Sequence, residues 1–305
     1  MPSECHALPE LFSRLVAPAA FILLWSGAFV AVRAGLPDVS PLTFLASRFT
    51  VASAVLIAVS LLWPSLRADW RRIGPAWPHL ALAGVLLNGA YLSAGYLAMT
   101  EIKGATMALV GALAPVVTAL VSTRLGERFS ALQWLGFALG FGGVVLVVGA
   151  GLEAVPLNAG HAWAVVSLFA IVAGTLYFNR HGKDAPLLVC NALQLGAGAL
   201  FCWLLVAGFE TPRVAVTWAS ALSFAYLTFA VSLGAMAAYL YLLKRQAAGR
   251  AIANLYLTPG VTAGLGWLLL GESFGLGALA GFAVSMLGLW LVNRPAAPTI
   301  RSAAS

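Results

Sequence analysis

The sequence predicts an all-α integral membrane protein whose ten transmembrane helices form two inverted five-helix repeats. Three observations lead there. Hydrophobic residues make up 61% of the 305 and charged ones only 9%, with a mean hydropathy of +0.94, whereas a soluble domain carries about 25% charged residues to cover its water-facing surface. Apolar runs long enough to cross about 30 Å of hydrocarbon recur from end to end. The second half also repeats the first at a fixed offset. Pro41-Leu42 returns as Pro186-Leu187, Gly89-Ala90 as Gly234-Ala235, Tyr96 as Tyr241, and Gly136-Phe137-Ala138 as Gly281-Phe282-Ala283, each 145 residues on.

Lipid admits only helices or closed barrels, and period-two alternation is absent, so the spans are helices. The first covers roughly 15–32; it is long and runs directly into a second span, 41–63, which separates it from a cleaved signal peptide. A basic connector with Arg67, Arg71 and Arg72 leads to the third span, 78–100, and a short one with Glu101 and Lys103 to the fourth, 104–123. The motif Leu125-Gly126-Glu127-Arg128-Phe129 follows, and Ser130 with Gln133 forms a capping box that opens the fifth span, 131–149. The second five spans run roughly 160–179, 186–208, 217–243, 249–270 and 275–293. The first repeat is thus 1–150 and the second 151–295, with a short cytoplasmic tail at 296–305. Cys190 and Cys202 lie far apart on one predicted helix, so a disulfide between them is excluded.

Five spans per copy is an odd number, so the second copy enters the membrane from the opposite side. Charge supports this. Thirteen of the seventeen Lys and Arg fall in connectors that share one side, and only Arg33, Lys103 and Arg213 fall on the other. The positive-inside rule then puts both termini in the cytoplasm. It also explains why Arg128 in the cytoplasmic motif becomes Ser273 in the outward copy, Leu270 to Phe274. A net charge of +7 distributed in this way serves topology and not nucleic-acid binding.

The stretch LLWSGAFVAVRAGLPDVSPLTFLASRF of the first two spans, the Leu-Gly-Glu loop before the fifth and tenth spans, and the five-plus-five inverted repeat resemble the EamA-type branch of the drug/metabolite transporter superfamily over about residues 15–293. The resemblance implies a multi-pass protein of the inner membrane that is a secondary transporter, exporting amino acids or related small amphipathic metabolites by alternating access. Proton-coupled export of drugs or toxic compounds, and metabolite import, are the alternatives on the same fold. The expected partners are a small-molecule substrate and the bilayer, with a monomer or a homodimer both open.

Arg48 is the one basic residue well inside a span, away from its edges, where arginine costs about 2.5–3.5 kcal/mol at a helix centre unless it faces a cavity or a partner. A substrate carboxylate is the natural partner, and snorkelling to the outer interface is the alternative. By helical spacing Asn88, Tyr91 and Gly95 share a face of the third span, which the repeat maps onto Leu233, Met236 and Leu240, with Tyr239 adjacent. Trp25, Trp163, Asn254 and Thr258 complete the expected aromatic and neutral polar site. Pro115 and the Pro259-Gly260 pair fall mid-span in corresponding helices and are expected to bend them near such a site.

Glycines at 136, 140 and 143, and at 277, 281 and 288, allow close approach of the fifth and tenth helices, with a homodimer contact as the competing reading. All ten acidic residues sit in connectors, in the leader or at span edges. Glu101 and His161 are therefore the candidates for any proton coupling, and a gradient-driven facilitator is the simpler expectation. The paired acidic clusters of a prenyltransferase, a phosphate-binding loop and an H-E-x-x-H helix are all absent from the sequence. No enzymatic activity, cofactor or metal is expected.

Overall fold

The computed structural model describes residues 15–149, 157–270 and 275–294. Among these residues the chain is helical outside its connections, with one isolated antiparallel bridge between Val39 and Val214. Glu272 and Ser273, the leader with Cys5, Glu153 and the 296–305 tail lie outside the described residues.

Helices α1 (Ala17–Gly35) and α2 (Pro41–Leu62) each carry proline in the first turn, where a missing N–H leaves no helical bond unmade. The amino end of α2 is capped from the other repeat. The Glu210 carboxylate accepts from the Leu42 and Thr43 N–H groups at 2.9 and 2.7 Å and from the Thr43 hydroxyl at 2.7 Å, a negative charge where the helix dipole favours one. The basic connector folds into a further short helix, α3 (Pro64–Arg72), which the sequence pattern does not announce. It is tied back by Trp70, whose Nε1 donates to Ser60 Oγ at 2.8 Å.

Helix α4 (Gly74–Glu101) contains a π-helical segment, Val85–Ala90. The expected span 104–123 is two helices, α5 (Gly104–Gly111) and α6 (Ala114–Arg124), with a turn at Ala112 and Leu113. Pro115 therefore stands in the first turn of a new helix instead of kinking a continuous one. Helix α7 (Ala131–Val148) opens on the Ser130–Gln133 capping box, and Gln133 Nε2 reaches on to the Val292 and Arg294 carbonyls at 3.1 and 3.0 Å.

Helices α8 (Ala159–His181), α9 (Leu187–Phe209) and α10 (Trp218–Arg245) follow, α10 being π-helical over Tyr226–Ala235. Residues 248–270 are helical in three pieces: α11 (Ala248–Ile252), a 3-10 turn at Ala253–Leu257, and α12 (Thr258–Leu270). Pro259 is in the first turn of α12. The last helix is α13 (Leu276–Val292). Among the described residues, eight helical stretches are long and apolar enough to cross a membrane. The 17-residue α13 and the broken 248–270 stretch fall outside that count.

The 145-residue offset organises the packing. A Cβ on Gly136 would lie 2.8 Å from the Gly288 carbonyl oxygen, and one on Gly143 would lie 2.6 Å from that of Gly281. Between these contacts Ser285 Oγ donates to the Gly140 carbonyl at 3.4 Å, a bond joining two residues 145 apart. As the number rises along α7 it falls along α13, so these equivalent helices run antiparallel about a pseudo-two-fold axis near Gly140 and Ser285. The same holds for α2 and α9, where Ser53 bonds to Ala192 and Thr50 to Trp203. Two local irregularities repeat as well. The π segments end at the equivalent residues Ala90 and Ala235, and the breaks at Ala112-Leu113 and before Thr258 coincide to within one residue.

Candidate functional site

A cavity of about 1050 Å³ lies between α1 and the carboxyl-terminal half of α4, with further walls from α5, α8 and α12, a volume at the upper end of small-molecule sites. It extends from Trp25, Tyr91 and Thr258 within the helices to Pro37 and Lys103 at the α1–α2 and α4–α5 connections. The rings of Trp25 and Tyr91 stack at 6.3 Å with an 8° interplanar angle. Tyr91 is held from behind, since its backbone carbonyl accepts from Ser167 Oγ at 2.9 Å. The carbonyl of Thr258, the first residue of α12, accepts from Ser26 Oγ at 3.3 Å.

Arg48 lines this cavity and is only 2% exposed. Its guanidinium carbon lies 4.7 Å from the Phe49 ring centroid and 5.7 Å from that of Tyr96. Its Nε and Nη1 have no hydrogen-bond partner. The guanidinium is thus enclosed by protein, against two aromatic faces.

Of the residues singled out from the sequence, the structure brings Trp25, Arg48, Tyr91, Thr258 and Pro259 together around the cavity. It does not place the others there. Trp163 is 41% exposed on α8 and outside the lining, because the cavity-facing side of α8 carries Ser167, Leu168 and Ile171. Asn88 is buried below the cavity, packed on Gly198, with neither amide atom bonded. The π segment explains this: its i→i+5 bonds accommodate an extra residue, so Asn88 is out of phase with the face of Tyr91 and Gly95.

Met236 and Tyr239 are core residues, Tyr239 stacked on Phe21 at 5.1 Å and bonded to the Thr175 hydroxyl at 2.6 Å. Asn254 is buried and donates to the Ala251 carbonyl at 2.8 Å. Pro115 is buried outside the lining, and Gly260 lies against the Phe282 ring. Glu101 and His161 meet through Asn158 at the α4–α8 contact: Asn158 Nδ2 donates to the Glu101 carbonyl at 3.2 Å and its Oδ1 lies 2.8 Å from His161 Nδ1. Neither lines the cavity. Among the described residues no group of three or more His, Cys, Asp or Glu could hold a metal ion.

Tyr96 is one of the lining residues that helical spacing misses, although its recurrence as Tyr241 marks it. The two repeats differ at this site. Gly95, Met107 and Ala108 on the cavity wall correspond to Leu240, Ile252 and Ala253, all fully buried. Where α1 and α4 stand apart, their equivalents α8 and α10 are joined. Asn179 Nδ2 donates to the Leu243 and Gln246 carbonyls at 2.8 and 3.1 Å, Thr175 bonds Tyr239, and Lys244 Nζ donates to the Ala185 carbonyl.

The EamA-like transporter family matches residues 15–149 and again 158–294. A protein of Streptantibioticus cattleyicolor named "Probable terminal-alkyne amino-acid exporter" is 30% identical over 284 residues, covering 90% of this chain and 91% of its own. The "Uncharacterized inner membrane transporter YedA" of Escherichia coli strain K12 is 26% identical over 297 residues, covering 92% of each. A solved crystal structure, 22% identical, matches with a TM-score of 0.75 over 91% of this chain and 95% of that one, which shows the shared fold. With two family matches laid over two antiparallel halves, the chain belongs to the EamA-like transporter family of the drug/metabolite transporter superfamily, and is a multi-pass membrane transporter.

Proposed function

We propose that the protein exports amino acids or related small amphipathic metabolites by alternating access, the two repeats exchanging open and closed arrangements. The observation that carries this reading is the asymmetry between halves of one repeated design: a cavity between α1 and α4, and a packed, hydrogen-bonded core between the equivalent α8 and α10. Exchanging the two arrangements closes the first site and opens the second without new architecture. The repeated breaks at Ala112-Leu113 and before Thr258, with Pro115, Pro259 and Gly260 beside them, are the points at which the helix halves pivot. The amino-acid class rests on the name of the S. cattleyicolor relative and on a lining that pairs apolar and aromatic walls with Arg48.

In this reading 248–270 and α13 also span the bilayer, giving ten spans in the inner membrane. Both termini are cytoplasmic, and the cavity faces outward. No Asp or Glu stands among the described lining residues, and in this reading a substrate gradient alone drives exchange. Proteoliposomes preloaded with unlabelled apolar amino acids test this: labelled amino acid enters by counterflow without an imposed proton gradient. Strict dependence on a proton gradient, abolished by Glu101→Gln or His161→Ala, makes the protein a proton antiporter instead.

A further inference from the structure

We infer that the cavity is a carboxylate site that makes no demand on an ammonium group, so that apolar carboxylates with or without an amine are its ligands. The inference deepens the transport reading and rests on it for the identity of the cavity. Arg48 is buried in the wall, and its Nε and Nη1 donate to nothing. A buried guanidinium left with open donors is costly, and the Phe49 and Tyr96 faces compensate its charge while leaving those donors unused. Both nitrogens are enclosed by protein in this arrangement, so a carboxylate reaches them by a local rearrangement of the wall, and then supplies what is missing by forming charge-assisted hydrogen bonds with the guanidinium.

The opposite end of an amino acid finds no matching charge. Every charged residue in the described lining is basic, Arg33 and Lys103 at the mouth and Arg48 inside. An ammonium group meets aromatic rings, Trp25 and Tyr91 among them, and neutral hydroxyl-bearing residues such as Tyr96, Thr100 and Thr262, with no carboxylate in the described lining. The cavity therefore recognises the anion strongly and the cation weakly. N-acylated or 2-oxo counterparts of an apolar amino acid fit the same description as the amino acid, and a cationic amine does not.

Three ligands sharing one ring separate these features: L-phenylalanine, hydrocinnamate, which lacks the amine, and phenethylamine, which lacks the carboxylate. Titrated calorimetrically into the full-length protein in nanodiscs, both carboxylates are expected to bind about tenfold to a hundredfold more tightly than the amine, the worth of a hydrogen bond to a charged group. Arg48→Met keeps the length without the charge and removes that preference, while Arg48→Lys retains part of it. Phenethylamine binding as tightly as the carboxylates, or no carboxylate binding at millimolar concentration, overturns the inference, and so does an unchanged preference in Arg48→Met. Should Arg48→Met fail to fold, the ranking in the wild-type protein decides alone. Carboxylate-selective binding without any flux in proteoliposomes overturns the transport reading and leaves the site intact.

Discussion

Asn179→Leu should shift the protein toward opening between α8 and α10. The side chain donates to the Leu243 and Gln246 carbonyls at 2.8 and 3.1 Å, so the substitution removes both bonds across the closed end at nearly constant volume. A hydrogen bond inside a membrane protein is worth about 0.6 kcal/mol on average, and about 1.5 kcal/mol at the upper end for neutral groups. Two of them sum to about 1–3 kcal/mol, or about a 5- to 150-fold change in the equilibrium between the two arrangements. The α1–α4 end has no equivalent bond to lose, because the positions matching Thr175, Asn179 and Tyr239 are Val30, Ala34 and Ala94.

The readout is Leu240→Cys in a cysteine-free chain, since Leu240 is fully buried and is the counterpart of cavity-lining Gly95. Its reaction with a membrane-impermeant maleimide from the α8–α10 side should rise by that factor in Asn179→Leu, while a cysteine at position 95 becomes less reactive from the other side. Unchanged rates at both positions, in a variant that remains folded, would refute the latch.

Further outcomes follow from the axis and the cavity wall. Gly143→Leu should lower membrane abundance and detergent thermal stability by overpacking, about 1–3 kcal/mol, because a Cβ there already lies 2.6 Å from the Gly281 carbonyl oxygen; a variant as stable as the parent contradicts the antiparallel α7–α13 contact. Trp25→Ala should weaken substrate affinity about threefold to tenfold by removing the ring stacked on Tyr91. Trp163→Leu should leave transport unchanged, since that ring faces away from the cavity and is 41% exposed. Equal loss in the two variants would assign Trp163 to the path.

The antiparallel halves were legible because hydropathy and a gapless offset are properties of the chain itself, and Gly136, Gly143, Gly281 and Gly288 carry the offset into direct contact. The π segments were not, since Val85–Ala90 and Tyr226–Ala235 use ordinary helix-forming residues and their bonding is set by the packed neighbours. Regular helical spacing therefore puts Asn88 on the face of Tyr91, where the π segment does not. Met236 and Tyr239 illustrate a different limit. Repeat equivalence pairs Met236 with Tyr91, but Tyr91 lines the cavity whereas Met236 is packed in the core, so an offset that matches positions does not match their exposure. Arg48 was legible from cost alone, whereas the aromatic faces that hold it required Tyr96 to be brought across from α4.

Exchange of the open and closed arrangements between the repeats is tested most directly by paired distances across the two ends. Spin labels at Leu36 and Thr100 report the cavity mouth, where both residues line the wall. Labels at the equivalent His181 and Arg245 report the closed end. Pulsed dipolar measurements in nanodiscs, with and without substrate, should show two populations in which the first distance shortens as the second lengthens. A mouth that narrows while the His181–Arg245 distance stays fixed in every condition would contradict the exchange.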